Sequence, residues 1–232
     1  MTLEAFGVRL AVRVDHPALT DVVHSRLRLG SKPYLEGDCD VQFAVWSRDG
    51  FHYQLLREDE PLGPTVELEV ALAMLDACVC SEVAQRAQGA LLIQGGAVAL
   101  GDRALVLPGR SFSGTSTLIQ ELVAHGATFV SDDYALLDEQ GRVSSSGAEL
   151  APRRVGLLAA TIFVPGAPWL PHELGPAEAA LILLSHSVTL RDDPARTMEV
   201  VRYATAGASA LESERGEAAE VASRLLERLD HG

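Results

Sequence analysis

The sequence predicts an α/β domain over residues 89–232, preceded by a small α+β region over residues 1–88. Three observations predict it. Between Leu105 and Asp133 a short apolar strand, a glycine loop, an amphipathic helix and a second strand follow one another, as in an α/β unit. Upstream, two strands about a turn lead into one long helix, which is α+β in character. The chain is also long enough to bury a sizeable core: 232 residues, 47% hydrophobic and 22% charged.

Taken in order, Phe6–Val14 alternates as a strand until His16-Pro17 breaks it. Ala18–Leu29 reads as a helix stopped by Gly30. Val41–Trp46 and Phe51–Leu56 are strands joined by an Arg48-Asp49-Gly50 turn. A charged connector over Glu58–Pro64 follows, and Thr65 caps a helix to about Gln88, with Glu67 and Glu69 in its first turn. Ala90–Leu100 is a candidate strand pair interrupted by Gly95-Gly96, and Gly101-Asp102-Arg103 is a turn. Ala104–Leu107 is a strand, the glycine loop leads into a helix to His125, and Gly126 ends it. Thr128–Ser131 and Tyr134–Asp138 are strands on either side of Asp132-Asp133, and 139–142 is a turn. The pattern assigns nothing to Ala148–Val164. The four prolines of Pro165–Pro176 mark a loop, and helices are expected over Ala177–Thr189, from Asp193-Pro194 to Ala206, and over Glu217–Leu229.

Composition excludes several classes. A net charge of −13 does not suit a general nucleic-acid binder, which needs a basic face. No run of about 18 apolar residues predicts a membrane span, and the N-terminal stretch lacks the apolar core of a signal peptide, so a cytoplasmic protein is expected. Cys39, Cys78 and Cys80 are an odd number without a secretory signal, which argues against a disulfide framework, and the apolar run around Cys78 and Cys80 marks these two as buried thiols. The seven histidines show no metal-binding spacing, and there is no G-x-S-x-G nucleophile turn.

The segment ALVLPGRSFSGTSTLIQELVAHG has P-loop spacing, G-x-x-x-x-G-K-[ST]. Gly109, Arg110, Ser111, Phe112, Ser113 and Gly114 form the loop, Thr115 stands where the lysine belongs, and Ser116 and Thr117 follow. Glycines let successive N–H groups point inward, and the following helix adds unpaired N–H groups and its positive dipole end. A polyphosphate is therefore the expected ligand, with Ser116 placed to ligate a nucleotide-bound Mg²⁺. Loss of the lysine removes one charge-assisted contact, roughly 1.5–3 kcal/mol. Lys32 is the only lysine, but a drift away from lysine predicts arginine at position 115, not threonine. Arg110, Arg153 and Arg154 are candidates to supply the charge. Asp132 and Asp133 close an apolar strand shortly after the loop, a common place to hold Mg²⁺ or a base.

Together GGAVALGDRALVLPGRS, GTSTLIQELVAHGATFVSDDYALLD and RGEAAEVASRLLERL resemble the HPr kinase/phosphorylase family, in particular its small kinase-like relatives, over about residues 90–230. The resemblance implies a P-loop kinase domain of phosphoenolpyruvate-carboxykinase type. It implies ATP, or another nucleoside triphosphate, with Mg²⁺ as cofactors, and transfer to a serine-type hydroxyl on a peptide or protein. Asp132 would be the base, and Asp133 with Ser116 would hold the metal. Some relatives phosphorylate a precursor peptide. Two positions depart from the family pattern: Thr115 replaces the lysine, and Gln94 stands where a histidine is common. Arg215 and Glu217 match a family-like stretch, with either a functional or a structural role. Trp169 either lines an acceptor groove or packs. The alternative is a degenerate, non-catalytic partner protein binding nucleotide, phosphate or a peptide. Either kind of protein can form a homo-oligomer.

Overall fold

The computed structural model describes residues 1–27, 32–33, 38–47, 49–87, 91–110, 113–145, 150–188 and 193–231, with Lys32 and Pro33 by backbone alone. The chain divides into two compact units, Met1–Ala87 and Gln88–Gly232.

The first unit runs β1 (Thr2–Ala5), β2 (Val8–Val14), α1 (Leu19–Arg26), β3 (Lys32–Pro33), β4 (Val41–Ser47), β5 (His52–Arg57), β6 (Glu60–Pro61), β7 (Val66–Glu67) and α2 (Leu68–Arg86). Its sheet has the order β3-β1-β2-β4-β5-β6, with β7 added on β5. Alternation builds the core: Val8, Leu10 and Val12 of β2 and Val41, Phe43 and Val45 of β4 are buried, as are Leu72, Leu75, Val79 and Val83 of α2. Glu82 of α2 is buried but paired, 2.7 Å from Arg57 and 2.9 Å from Arg86, which offsets its desolvation.

Three expectations are corrected here. The strand beginning at Phe6 is a hairpin: Phe6 (φ 52°) and Gly7 (φ 78°) form the tight turn between β1 and β2. Thr65 does not cap α2, because Val66 and Glu67 first pair with Tyr53 and His52, which leaves Glu67 at the N-cap without a side-chain bond. α1 ends at Arg26, with Leu27 already extended. The turn residue Arg48 and the stop Gly30 lie outside the described residues. Cys39 is exposed, Cys78 half-buried and Cys80 buried, all free thiols, and burial pushes the Cys78 thiol up.

The turn after β4 yields a pH prediction. Asp49 accepts from the amides of Phe51 and His52, and its other oxygen lies 2.8 Å from His52 Nδ1. That bond raises the His52 pKa above 6.5 and holds the Asp49 carboxyl well below the usual range. Because the folded His52 value is raised, the support this pair gives the hairpin is complete below the ordinary histidine value. It disappears as pH rises through the folded one. An NMR titration is expected to show His52 above the ordinary histidine value, and Asp49→Asn to return it toward that value. An unshifted His52 in the native protein refutes the contact.

The second unit runs β8 (Leu91–Leu100), β9 (Arg103–Pro108), α3 (Thr115–Ala124), β10 (Thr128–Ser131), β11 (Tyr134–Leu137), β12 (Arg142–Ser144), β13 (Arg153–Phe163), β14 (His172–Glu173), α4 (Pro176–Ser185), α5 (Pro194–Thr205), β15 (Ser209–Arg215) and α6 (Ala218–His231). Its mixed sheet carries β10 on β8, β8 on β9, β9 on β13 and β13 on β15, with β11, β12 and β14 attached around this path. Two cores sandwich the sheet. On one face Leu118, Ile119 and Leu122 of α3 meet Val221, Leu225 and Leu229 of α6 over Val98, Leu105 and Leu157. On the other, Ala179 and Leu183 of α4 meet Val200, Val201 and Ala204 of α5 over Val106, Leu158 and Ala210. Among the described residues no helix is long and apolar enough to cross a membrane.

Gly95 and Gly96 do not divide a strand pair. They lie inside the single strand β8, where Gly95 sits opposite Pro108 and Gly96 opposite Leu107. A Cβ on Gly95 would lie 2.2 Å from the Leu107 carbonyl oxygen, and one on Gly96 2.2 Å from Ile119 Cδ1, so both glycines permit close approach of β9 and α3. The unassigned stretch 148–164 contains β13, and the proline loop contains the short strand β14. The expected helix from Ala177 ends at Ser185, and Thr189 lies outside the described residues.

Candidate phosphate-binding site

The loop between β9 and α3 is built from its anchors outward. Gly109 donates its N–H to the Gln94 carbonyl (3.1 Å), and Ser113 donates to the Arg110 carbonyl (3.1 Å). The next two carbonyls turn into the protein: Ser113 O accepts from Phe163 N (3.0 Å), and Gly114 O accepts from Arg215 Nη2 (2.6 Å) and Leu118 N (3.1 Å). A trans peptide holds its C=O and N–H on opposite sides. Drawing these carbonyls inward therefore turns the N–H groups of Gly114 and Thr115 outward. Among the described residues those amides, with the N–H groups of Ser116 and Thr117 in the first turn of α3, have no internal partner. Gly114 is required here by its φ of 83°, and a Cβ on it would lie 2.7 Å from Arg215 Nη2.

The side chains divide into two groups. Ser116 Oγ donates to Asp132 Oδ1 (3.1 Å), whose oxygen also accepts from the Asp133 amide (2.9 Å). The hydroxyl expected to share a metal with Asp133 thus bonds Asp132 instead. Asp133 itself adopts φ 69°, an uncommon conformation for a side-chain-bearing residue. At the lysine position, Thr115 Oγ1 lies 2.7 Å from Ser113 Oγ, and both hydroxyls crowd over Gly109. Ser116 and Thr117 are exposed. Arg110 is exposed, has no ion pair among the described residues, and lines a cleft beside the loop. Ser111 and Phe112 lie outside the described residues.

Arg215 is the largest fully buried side chain among the described residues, 1% exposed. Its Nη2 and Nη1 donate to the Gly114 and Gly216 carbonyls; among the described residues its Nε has no partner and no carboxylate lies within ion-pair distance. Its guanidinium lies 5.7 Å from the Phe163 ring. Burial pushes its pKa down, opposed by the Glu217 charge. A cation thus sits directly behind the outward amides.

Arg153 and Arg154 are not brought to the loop. Arg154 pairs with Arg103 at the start of β9, so these residues and Gly109 lie at opposite ends of the strand, on the order of 20 Å apart. Gln94 reaches the loop through its backbone: its carbonyl anchors Gly109 and its N–H bonds the His186 carbonyl. Trp169 packs against the core beneath α3 and α6.

Beside the loop a cleft of about 600 Å³ is lined by Arg110, Ile162, Leu170, His186, Glu212 and Glu214, among others. Its β15 wall falls in a segment, SALESER, that sequence periodicity did not mark as a strand, although its two glutamates at i and i+2 share a face. Compared with models of protein families and with curated proteins, the chain matches none.

Proposed function

We propose that the chain is an HPr-kinase-like phosphotransferase. In this reading its second unit is a P-loop kinase domain of phosphoenolpyruvate-carboxykinase type. It binds a Mg²⁺-nucleoside triphosphate and phosphorylates a serine-type hydroxyl on a peptide or protein. The observation that carries the reading is the set of unpaired amides at Gly114–Thr117 turned outward beside the Ser116–Asp132 pair. The hydroxyl and carboxylate oxygens suit a hard cation. Because no group of three His, Cys, Asp or Glu among the described residues could hold a metal, phosphate oxygens would complete the coordination. Bound there, Mg²⁺ supplies charge neutralisation at the phosphates. The amides orient the polyphosphate. Asp132, engaged by Ser116, takes the metal side, and Asp133 takes the base role toward the acceptor hydroxyl. The hydroxyl oxygen forms the new P–O bond as its proton passes to the carboxylate, and the bridging P–O bond of the donor breaks.

A second reading, a non-catalytic nucleotide- or phosphate-binding partner protein, draws on Thr115. Its hydroxyl turns to Ser113, and no side-chain cation of the first helical turn faces the phosphates.

Calorimetry with Mg-ATP and Mg-GTP, then label transfer to serine peptides, tests both. Thr115→Lys is expected to tighten nucleotide binding by about ten- to a hundredfold, the worth of one charge-assisted bond. Asp132→Asn is expected to remove the Mg²⁺ dependence of binding. Absence of nucleotide binding at millimolar concentration sinks the kinase reading and the nucleotide-binding form of the second, and leaves a phosphate- or peptide-binding partner protein. Tight binding in which Asp133→Asn leaves transfer unchanged removes Asp133 as the base.

A further inference from the structure

We infer that the cleft between the phosphate loop and β15 is the subsite for the nucleoside part of the ligand, with Glu212 and Glu214 accepting hydrogen bonds from the ribose hydroxyls. This rests on the phosphate-binding reading of the loop.

The sheet sets the direction. At the end of β9 the loop stands between two flanks. On one, β8 and then β10 bring in Asp132, which bonds Ser116. On the other, β13 and then β15 bring in Glu212 and Glu214, opposite Ala160 and Ile162. Four strand spacings, about 19 Å at roughly 4.8 Å each, separate the outer strands of these flanks. The terminal phosphate belongs with the metal pair, because a cation there must meet the charge that is transferred. An acceptor hydroxyl must reach that same phosphate, so it enters from the Asp132–Asp133 flank. A triphosphate laid across the amides from that end points its nucleoside into the opposite flank, which is the cleft.

The lining suits that occupant. Leu170 (75% exposed) and Ile162 (52% exposed) are unusually open for apolar side chains and offer surfaces for a flat base. Glu212 and Glu214, two apart on β15, are exposed on one face and present acceptors only, which fits a vicinal diol. His186 Nδ1 lies 2.8 Å from the Ile182 carbonyl, which only accepts, so Nδ1 carries the proton. In the neutral ring Nε2 is then left as an acceptor for an amino group of a base. The two carboxylates would repel a phosphate, which argues against the polyphosphate itself lying in the cleft. They would also attract a basic peptide, and the test separates that occupant from a nucleoside.

The experiment compares Mg-ATP, Mg-2′,3′-dideoxy-ATP and Mg-tripolyphosphate by calorimetry on the native chain and on a Glu212→Gln/Glu214→Gln variant, with Leu170→Ala as a second variant. The native chain is expected to bind ATP at least tenfold more tightly than tripolyphosphate. The double variant is expected to weaken ATP about tenfold and leave tripolyphosphate unchanged, and dideoxy-ATP is expected to bind the native chain as weakly as ATP binds the variant. Leu170→Ala is expected to weaken ATP alone. Equal ATP affinity in native and variant chains overturns the inference while tripolyphosphate binding preserves the loop reading. So does a variant that keeps ATP affinity but loses binding of a lysine-rich peptide, which assigns the cleft to the acceptor. Failure of both ATP and tripolyphosphate to bind overturns loop and cleft together.

Discussion

Arg215→Met is expected to lower affinity for Mg-polyphosphates at least tenfold while leaving the melting temperature of the ligand-free protein within a few degrees. The two halves of this result have different causes. The guanidinium is buried with no carboxylate partner among the described residues, so its removal relieves desolvation as it deletes two bonds to carbonyls. Replacing a buried charge by an apolar chain of similar volume is often neutral or stabilising. Affinity has no such offset. Adding the Nη2···O contact, the width of one peptide and one N–H···O bond places a bound phosphate oxygen about 8 Å from the charge. At an effective dielectric of about 20 that attraction is roughly 2 kcal/mol, near thirtyfold. Arg215→Lys is expected to recover part of the affinity, since the charge remains and one bond to Gly114 can re-form. Calorimetry and thermal unfolding on the same samples decide the matter. A large fall in melting temperature with native affinity would make Arg215 a structural strut only.

Gly95→Ala is the substitution expected to cost most stability, about 3 kcal/mol or more. Gly95 has φ 136°, and the new methyl would lie 2.2 Å from the Leu107 carbonyl oxygen and 2.8 Å from Pro108 Cα, both backbone atoms that cannot rotate away. Gly101→Ala is the control. It has φ 60° with nothing within 4 Å of the added carbon, so only the left-handed backbone term applies, about 1–2 kcal/mol. Urea unfolding followed by circular dichroism is expected to separate the two variants clearly. If they unfold at the same midpoint, β8 and β9 are not packed as closely as described.

These residues also show what was readable from the chain. The loop was legible because its glycine spacing is itself the geometric requirement: Gly114 must take φ 83°, and Gly109 must leave room for two hydroxyls. The terminal helix was legible to within a residue or two: expected over Glu217–Leu229, it runs Ala218–His231. β13 was not, because its central run VGLLA, Val155–Ala159, is buried on both faces and has no alternation to mark it. Which of Asp132 and Asp133 bonds Ser116 was equally hidden. The register of β10 against β8 shifts between Phe129 and Ser131, and Asp133 leaves the extended region, so strand alternation cannot say which carboxylate meets Ser116. Arg153 and Arg154 misled because nearness to charge in sequence carries no information about which end of a parallel strand a residue occupies.

The inward turn of the Ser113 and Gly114 carbonyls has a consequence for how this surface can evolve. On the proposed phosphate-binding reading, the groups that would meet the anion are main-chain amides, which every residue but proline carries. Mutational drift at positions 115–117 can exchange lysine, threonine or serine without erasing them, so long as Gly114, the Phe163 amide and the Arg215 buttress remain. If the proposed function holds, capture of a ligand and its conversion are separately heritable properties of this fold. On that reading the first is written into the course of the backbone and the second into a few replaceable side chains, so a lineage that lost the reaction would keep the binding.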